Sequence, residues 1–260
     1  MKNYDFAVVH IPHASVSIPE YYRKTILLDD SQLSRELARM TDAFCDELYD
    51  APGFNHRLIA PVSRLVCDME RFRDDSQEPC AKKGQGLMYI KTAAGRQLRE
   101  YNEALRNQIL TELYDPHHQR LTDMVDKALE KHGKCLIIDG HSFASRGIRR
   151  FTYPDFDIGV DGYHTPPGLC DAICKKIRQL GYKVKINYPY AGAITPMKHY
   201  QKDKRVVSIM FEANRKLYME GIKKSRDFEK TREICHALMA CAAEYINIPF
   251  QINHTPHQQN

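Results

Sequence analysis

What this 260-residue sequence lacks narrows its class before any motif is considered. No apolar run approaches the roughly 18 residues of a membrane-spanning helix, so a span is not expected. The opening M-K-N-Y-D-F-A-V-V-H carries no apolar signal-peptide core and enters a strand-like stretch at once, so the expected compartment is the cytoplasm. None of the eight cysteines forms a C-x-x-C pair, which excludes a zinc ribbon. A chain this long needs no disulfide staples, and reduced thiols are expected. There is no basic tract: the net charge of +5 is scattered. That charge suits a small anionic substrate and argues against nucleic acid as a partner. No internal repeat and no linker is evident, so residues 1–252 are read as one domain and 253–260 as a polar, disordered tail. Oligomeric state is left open.

What is present is an ordinary globular composition, 43% hydrophobic and 27% charged, in which short apolar runs alternate with helical patterns. Strands are expected at Phe6–His10, Arg57–Ala60, Arg64–Cys67, Cys135–Ile138, near Ile158, at Val184–Ile186 and at Arg205–Phe211. Lys82–Gly86 reads as a mobile loop. Helices are expected from Asp30 or Ser31 through Leu48, from about Ala94 to Leu113, from Pro116 to His132 with Gly133 as C-cap, from Pro166 to Leu180 with Thr165 as N-cap, and from Ser225 to Ile246. Strands alternating with helices predict an α/β three-layer sandwich around a mixed, largely parallel sheet.

The central feature is K-C-L-I-I-D-G-H-S-F, Lys134–Phe143. Four consecutive apolar residues suit a strand covered on both faces, and the polar switch at Asp139 and His141 falls at its carboxyl end, where open α/β sheets bind ligands. Other apolar runs end the same way, delivering His13, Arg71 and Glu212 to the edge of the sheet. Two histidines and a carboxylate from separate elements can hold zinc with one position open for water. Zinc brings the pKa of bound water toward about 7, an unliganded carboxylate can shuttle its proton, and an arginine fork can hold a substrate carboxylate. Taken singly, each residue has a plainer reading. His13 can be a loop hydrogen-bonder, Glu212 a salt-bridge carboxylate, Arg71 part of an ion-pair cluster with Arg64, Arg73, Asp74 and Asp75. Asp42 and Asp46, four apart on the expected helix, can be solvated charges on one face. His10 reads as a core histidine, and His117, His118, His132, His254 and His257 as helix-end or tail residues. His164 and His199 stay open.

Six segments appear in order: V-V-H-I-P-H-A-S-V-S-I-P, M-T-D-A-F-C-D-E-L-Y, S-R-L-V-C-D-M-E-R-F, I-D-G-H-S-F, Y-P-Y-A-G-A-I-T-P and I-M-F-E-A-N-R-K-L-Y-M. Together, from about Val8 to Tyr218, they resemble the N-formylglutamate amidohydrolase family, which is related in fold to the zinc carboxypeptidases (phosphorylase/hydrolase-like). The resemblance implies one divalent metal, zinc before manganese or iron, held by His13, His141 and a carboxylate from T-D-A-F-C-D. Asp42 is preferred, with Asp46 as the alternative or as outside support. It implies Glu212 as general base, Arg71 as substrate-carboxylate clamp, Tyr190 and Gly192 as pocket residues, Arg215 orienting Glu212 or binding a second carboxylate, and Asp139 supporting the site. The implied reaction is hydrolysis of N-formyl-L-glutamate to formate and L-glutamate, as in histidine degradation. In one place the chain departs from the family: Glu70 stands where an asparagine precedes the arginine, and a carboxylate there repels an acidic ligand unless paired. That opens a second reading, a carboxypeptidase-like or other acyl-amino-acid hydrolase. A third class is a non-catalytic relative binding an anionic metabolite or a partner.

Overall fold

The computed structural model describes residues 2–144 and 153–247; the expected tail from 253 lies outside them. The strands of the main sheet are β1 (Ala7–Ile11), β2 (His56–Ile59), β3 (Cys135–Phe143), β4 (Phe156–Gly159), β5 (Val184–Ile186) and β6 (Val206–Asn214). The helices are α1 (Glu20–Arg23), α2 (Asp30–Met40), α3 (Cys45–Leu48), α4 (Glu103–Ile109), α5 (Asp115–His132), α6 (Pro167–Gln179) and α7 (Phe228–Asn247). The strand order is β2-β1-β3-β6-β4-β5, and every neighbouring pair is parallel except β4 against β6. This is a mixed, mostly parallel α/β sheet with helices on both faces.

Residue parity along β3 decides what each face does. Leu136 and Ile138 join β6 residues Val207, Ile209 and Phe211 in a core with α3, α6 and α7. Cys135 and Ile137 point the other way, with Val206, onto Leu121, Val125 and Ala128 of α5. Those three α5 residues are four and three apart, the spacing of a single buried helix stripe. Fully burying one such aliphatic side chain contributes about 1.5–3 kcal/mol. Continuing on the α5 face, the apolar pattern stops and Asp139 and His141 follow. Register does the rest: Asp139 pairs with His10 of β1, and His141 pairs with Glu212 of β6. The sheet thus gathers polar side chains from three strands beneath one helix. All eight cysteines are free thiols.

Several elements differ from expectation. The helix expected through Leu48 ends at Met40: Thr41 is extended, and Phe44 is left-handed (φ 65°) before α3 begins. That conformation costs a non-glycine residue about 1–3 kcal/mol; here Phe44 packs edge-on to Phe228. Asp42 and Asp46 consequently do not share a helix face. Arg64–Cys67 is no strand but a turn in which Val66 and Cys67 donate back to the Ser63 carbonyl. The stretch 94–102 is not helical; α4 starts after Asn102, whose side chain caps it by accepting from Leu105 N, and it runs into α5 through a π-helical turn at Leu110–Tyr114. Lys82 and Lys83, which open the expected loop Lys82–Gly86, belong to a 3-10 turn at Ala81–Lys83. Thr165 does not cap α6; its hydroxyl donates to the Ser208 carbonyl. Glu212 sits inside β6 rather than at its end.

Candidate functional site

His13 lies two residues past β1, after Pro12 has ended the strand, and His141 lies near the end of β3. Their Nδ1 atoms are 3.2 Å apart. Asp42 Oδ2 stands 3.2 Å from His141 Nδ1 and 3.7 Å from His13 Nδ1. All three residues are buried. The Asp42 backbone donates to His13 O at 2.9 Å, and Ser142 N donates to Asp42 Oδ2 at 3.3 Å. The break between α2 and α3 therefore serves the site: it turns Asp42 inward against both histidine-bearing segments.

Each ring has a carboxylate behind it. His13 Nε2 meets Asp68 Oδ1 at 2.8 Å. Asp68 in turn accepts from Arg64 (2.7 and 3.1 Å), from the Tyr89 hydroxyl (2.5 Å) and from Glu70 N (3.0 Å). Burial pushes the Asp68 carboxyl up, but Arg64, His13 and Arg71 hold it well below the usual range. His141 Nε2 faces Asp139 Oδ1 at 3.2 Å, and Asp139 Oδ1 also meets His10 Nδ1 at 2.9 Å. His10 Nε2 is 2.9 Å from His117 Nε2.

The site demands positive charge. Burial would lower the His141 pKa, yet Asp139, Asp42 and Glu70 around the ring raise it well above the usual imidazole value. Asp42, which burial would raise, is instead held well below the carboxylate range by His13, His141 and Arg215. A proton can meet this demand, and so can a metal cation. The donor set fits one. Zinc bonds of about 2.0–2.2 Å at tetrahedral angles put ligand atoms roughly 3.3–3.6 Å apart, close to the separations among His13 Nδ1, His141 Nδ1 and Asp42 Oδ2. Carboxylates on the far ring nitrogens are the usual outer partners of ligating histidines.

Glu212 is buried beside His141 on the same sheet face, and its Oε2 has no hydrogen-bond partner. Burial, with Asp42 and Asp157 nearby, raises its carboxyl well above the usual range, against the pull of His141 and Arg215. A buried carboxyl with an uncommitted oxygen next to a cation-seeking cluster suits proton transfer. Tyr49 fixes this level of the sheet: its hydroxyl lies 2.9 Å from both His141 O and Phe211 O. Gly140 lets the ring approach, since a Cβ there would stand 2.6 Å from Tyr49 Cδ2.

A cleft of about 660 Å³ is lined by Glu70, Arg71, Tyr114, His118, Gly192 and Lys198, among others. Arg71 Nε lies 3.5 Å from Asp68 Oδ2 and has no hydrogen-bond partner, leaving donor capacity for a ligand. Arg215 is directed at Asp42 Oδ1 (2.8 Å) and Ser142 Oγ (3.1 Å). Gly192 lines the cleft; Tyr190 is half-exposed and anchored through its backbone N–H to Asp157 Oδ2 at 3.0 Å. Asp46 lies in the first turn of α3, and its carbonyl accepts from Arg57. The residues missed from sequence are Asp68, Arg64, Tyr89, His10 and His117. For Asp68 the abrupt switch from L-V-C to D-M-E-R was the available signal. For His117 it was the four-residue spacing from Leu121 on the buried face of α5.

Known proteins resemble the chain throughout. Residues 6–219 match the family model described as N-formylglutamate amidohydrolase. An N-formylglutamate deformylase of Pseudomonas putida is 25% identical over 227 residues, 82% of this chain and 81% of that protein. One from Pseudomonas aeruginosa is 27% identical over 176 residues, 63% of this chain and 64% of that protein. The crystal structure of N-formylglutamate amidohydrolase from Ralstonia eutropha JMP134 superposes with a TM-score of 0.80 at 24% identity, covering 93% of this chain and 94% of that one. The gene product Atu2144 from Agrobacterium tumefaciens gives 0.66 at 22% identity, covering 93% and 91%. At those identities the two structures speak for the fold.

Proposed function

The chain belongs to the N-formylglutamate amidohydrolase family, and from that premise we propose that it is a metal-dependent amidohydrolase releasing formate and L-glutamate from N-formyl-L-glutamate. The observation that carries the reading is the convergence of His13 Nδ1, His141 Nδ1 and Asp42 Oδ2, with Glu212 as register neighbour of His141. These three residues would hold the metal, zinc by preference. When bound, a divalent cation supplies Lewis acidity there, polarising an amide carbonyl and drawing the pKa of a water toward about 7.

The protein's own groups do the remaining work. Glu212 takes a proton from the attacking water as the C–O bond forms, and returns it to the amine nitrogen as the C–N bond breaks. Its buried, unpartnered oxygen keeps that proton out of bulk solvent. Arg71 donates to a substrate carboxylate from the cleft wall. Asp68 and Asp139 hold the two rings so that both Nδ1 atoms point inward, and Arg215 holds Asp42.

The test is formate and glutamate release by the purified, zinc-loaded protein. Glu212→Gln should keep the metal and lose turnover; full activity in that variant would remove Glu212 from the mechanism. One observation favours a second reading: Glu70 places a carboxylate in the cleft next to Arg71. It suits a substrate with a hydrogen-bond donor there, as in a peptide or another acyl-amino acid. A panel of formyl, acetyl and dipeptide substrates separates the two.

A further inference from the structure

Beyond the far edge of the His141 ring lies a second group of donors, of which the proposed hydrolysis uses only Asp139, as support for that ring: His10 Nδ1, Glu70 Oε1 and Asp139 Oδ1. We propose that they form a second divalent-cation site, separated from the first by one imidazole ring. His10 Nδ1 is 2.9 Å from Asp139 Oδ1 and 3.4 Å from Glu70 Oε1. His141 Nε2 approaches the same two oxygens at 3.2 and 3.8 Å. Donors sharing one cation through bonds of about 2.0–2.2 Å stand roughly 3.3–3.6 Å apart.

Hydrogen bonding leaves this cluster incomplete. Glu70 Oε1 is buried without a hydrogen-bond partner, and so is His141 Nε2, on a side chain only 5% exposed and aimed into the group. Buried polar atoms left unpaired are unusual and costly, and an ion is one of the standard remedies. The outer partners that ligands need are already in place. A ligating histidine donates its other N–H outward, and His10 Nε2 lies 2.9 Å from His117 Nε2. Asp139 Oδ2 accepts from Ile194 N at 3.1 Å, leaving Oδ1 for a cation. Charge points the same way: Asp42, Asp68, Asp139, Glu70 and Glu212 crowd these rings, against the guanidinium groups of Arg64, Arg71 and Arg215. Glu70 also lines the cleft, which gives an ion a route from solvent. Bound through both ring nitrogens, His141 releases its remaining N–H proton to solvent and bridges the two sites as an imidazolate; the resulting two nitrogen and two oxygen donors suit zinc, manganese or cobalt rather than calcium. A cation here would put positive charge beside Glu70, which lines the cleft, where a substrate carboxylate or carbonyl oxygen can reach it.

The test uses the full chain, stripped with a chelator and dialysed against zinc, with metal per chain measured across a concentration series and folding checked by thermal melting. The wild type should bind two ions. Glu70→Gln, which keeps the shape of a partly exposed side chain, should weaken one ion at least about tenfold, since loss of even an outer partner costs 10–100-fold. Asp139→Asn should weaken both ions, because Asp139 also backs the His141 ring of the first site, and Asp42→Asn should remove only the first. A single ion lost in Asp42→Asn and kept in Glu70→Gln overturns the second site and leaves the first standing. A single ion lost in Glu70→Gln and kept in Asp42→Asn overturns the first site instead.

Discussion

Arg215 Nη2 donates to Asp42 Oδ1 at 2.8 Å while the other oxygen of the same carboxylate faces His141 Nδ1 at 3.2 Å. One carboxylate is thus shared between a guanidinium that fixes its plane and the cluster that would hold a cation. Arg215 reaches this position because β6 carries it past Glu212 and the 3-10 turn at Arg215–Leu217 swings it back over Ser142. Replacing Arg215 by Met should lower metal affinity by about 10–100-fold, the usual effect of losing an outer partner. Lysine should restore little, because a point charge does not reproduce a planar fork. Competition against a chromophoric chelator measures this, and unchanged affinity in both variants would show that Asp42 needs no such support.

Arg71 acts at a different stage. It lines the cleft, and its Nε is without a hydrogen-bond partner. Losing a hydrogen bond to a charged group costs about 1.5–3 kcal/mol, so Arg71→Met should raise KM for N-formyl-L-glutamate by roughly 10- to 100-fold with kcat little changed. The contrast that matters is with an uncharged formyl-amino-acid amide, whose KM should hardly move. Equal losses on both substrates would make Arg71 a packing residue.

How much of this was open to sequence reading depended on local signal strength. The runs in β3 and β6 were legible because both faces of a central strand are buried, which leaves an unbroken apolar run. The same signal misled at Arg64–Cys67, where four residues are too few to tell a strand from a tight turn. There the Ser63 carbonyl takes the backbone donors that a neighbouring strand would have taken. At Asp42 the helical spacing of Leu33, Leu37, Met40, Phe44 and Leu48 runs on while the backbone does not. The reversal rests on a left-handed Phe44, which no propensity favours. His10 reads as a core histidine and His117 as a helix-end residue, so neither sequence signal points to a site. Only sheet register and helix docking bring the two rings within 2.9 Å of each other.

Asp68 should dominate the acid limb of stability. It is fully buried and holds Arg64, Tyr89 and His13 together. Its folded pKa is depressed, so the unfolded chain, ionising near 3.9, binds more protons at low pH. The stabilisation is therefore complete above that value and is lost as pH falls toward the folded pKa. Asp68→Asn leaves Arg64 buried without its counter-charge and should cost about 3–5 kcal/mol at neutral pH. Urea unfolding at pH 7 reads the loss. Repeating it between pH 5 and 3 should show a shallower decline in the variant than in the wild type, and parallel declines would exonerate Asp68.

Glu212 gives the opposite sign. Burial raises its folded pKa, while the unfolded carboxyl ionises near 4.3. In the metal-free protein the folded state therefore keeps a proton that the unfolded state has released. Stability from this group is fully present below the unfolded pKa and drains away as pH rises toward the folded one. Glu212→Gln removes the titration while keeping the size and hydrogen-bonding shape of the side chain. Melting of chelator-stripped samples should show the variant and wild type close together near pH 4.5, and the variant ahead by several degrees at pH 8. Each kcal/mol is worth about 2–4 °C in a chain of this size. The same substitution should abolish turnover, so a variant both more stable at pH 8 and inactive would mark Glu212 as a residue kept for proton transfer at the expense of stability. A gap that stays constant across pH would mean that the buried carboxyl never carries the strain its position implies.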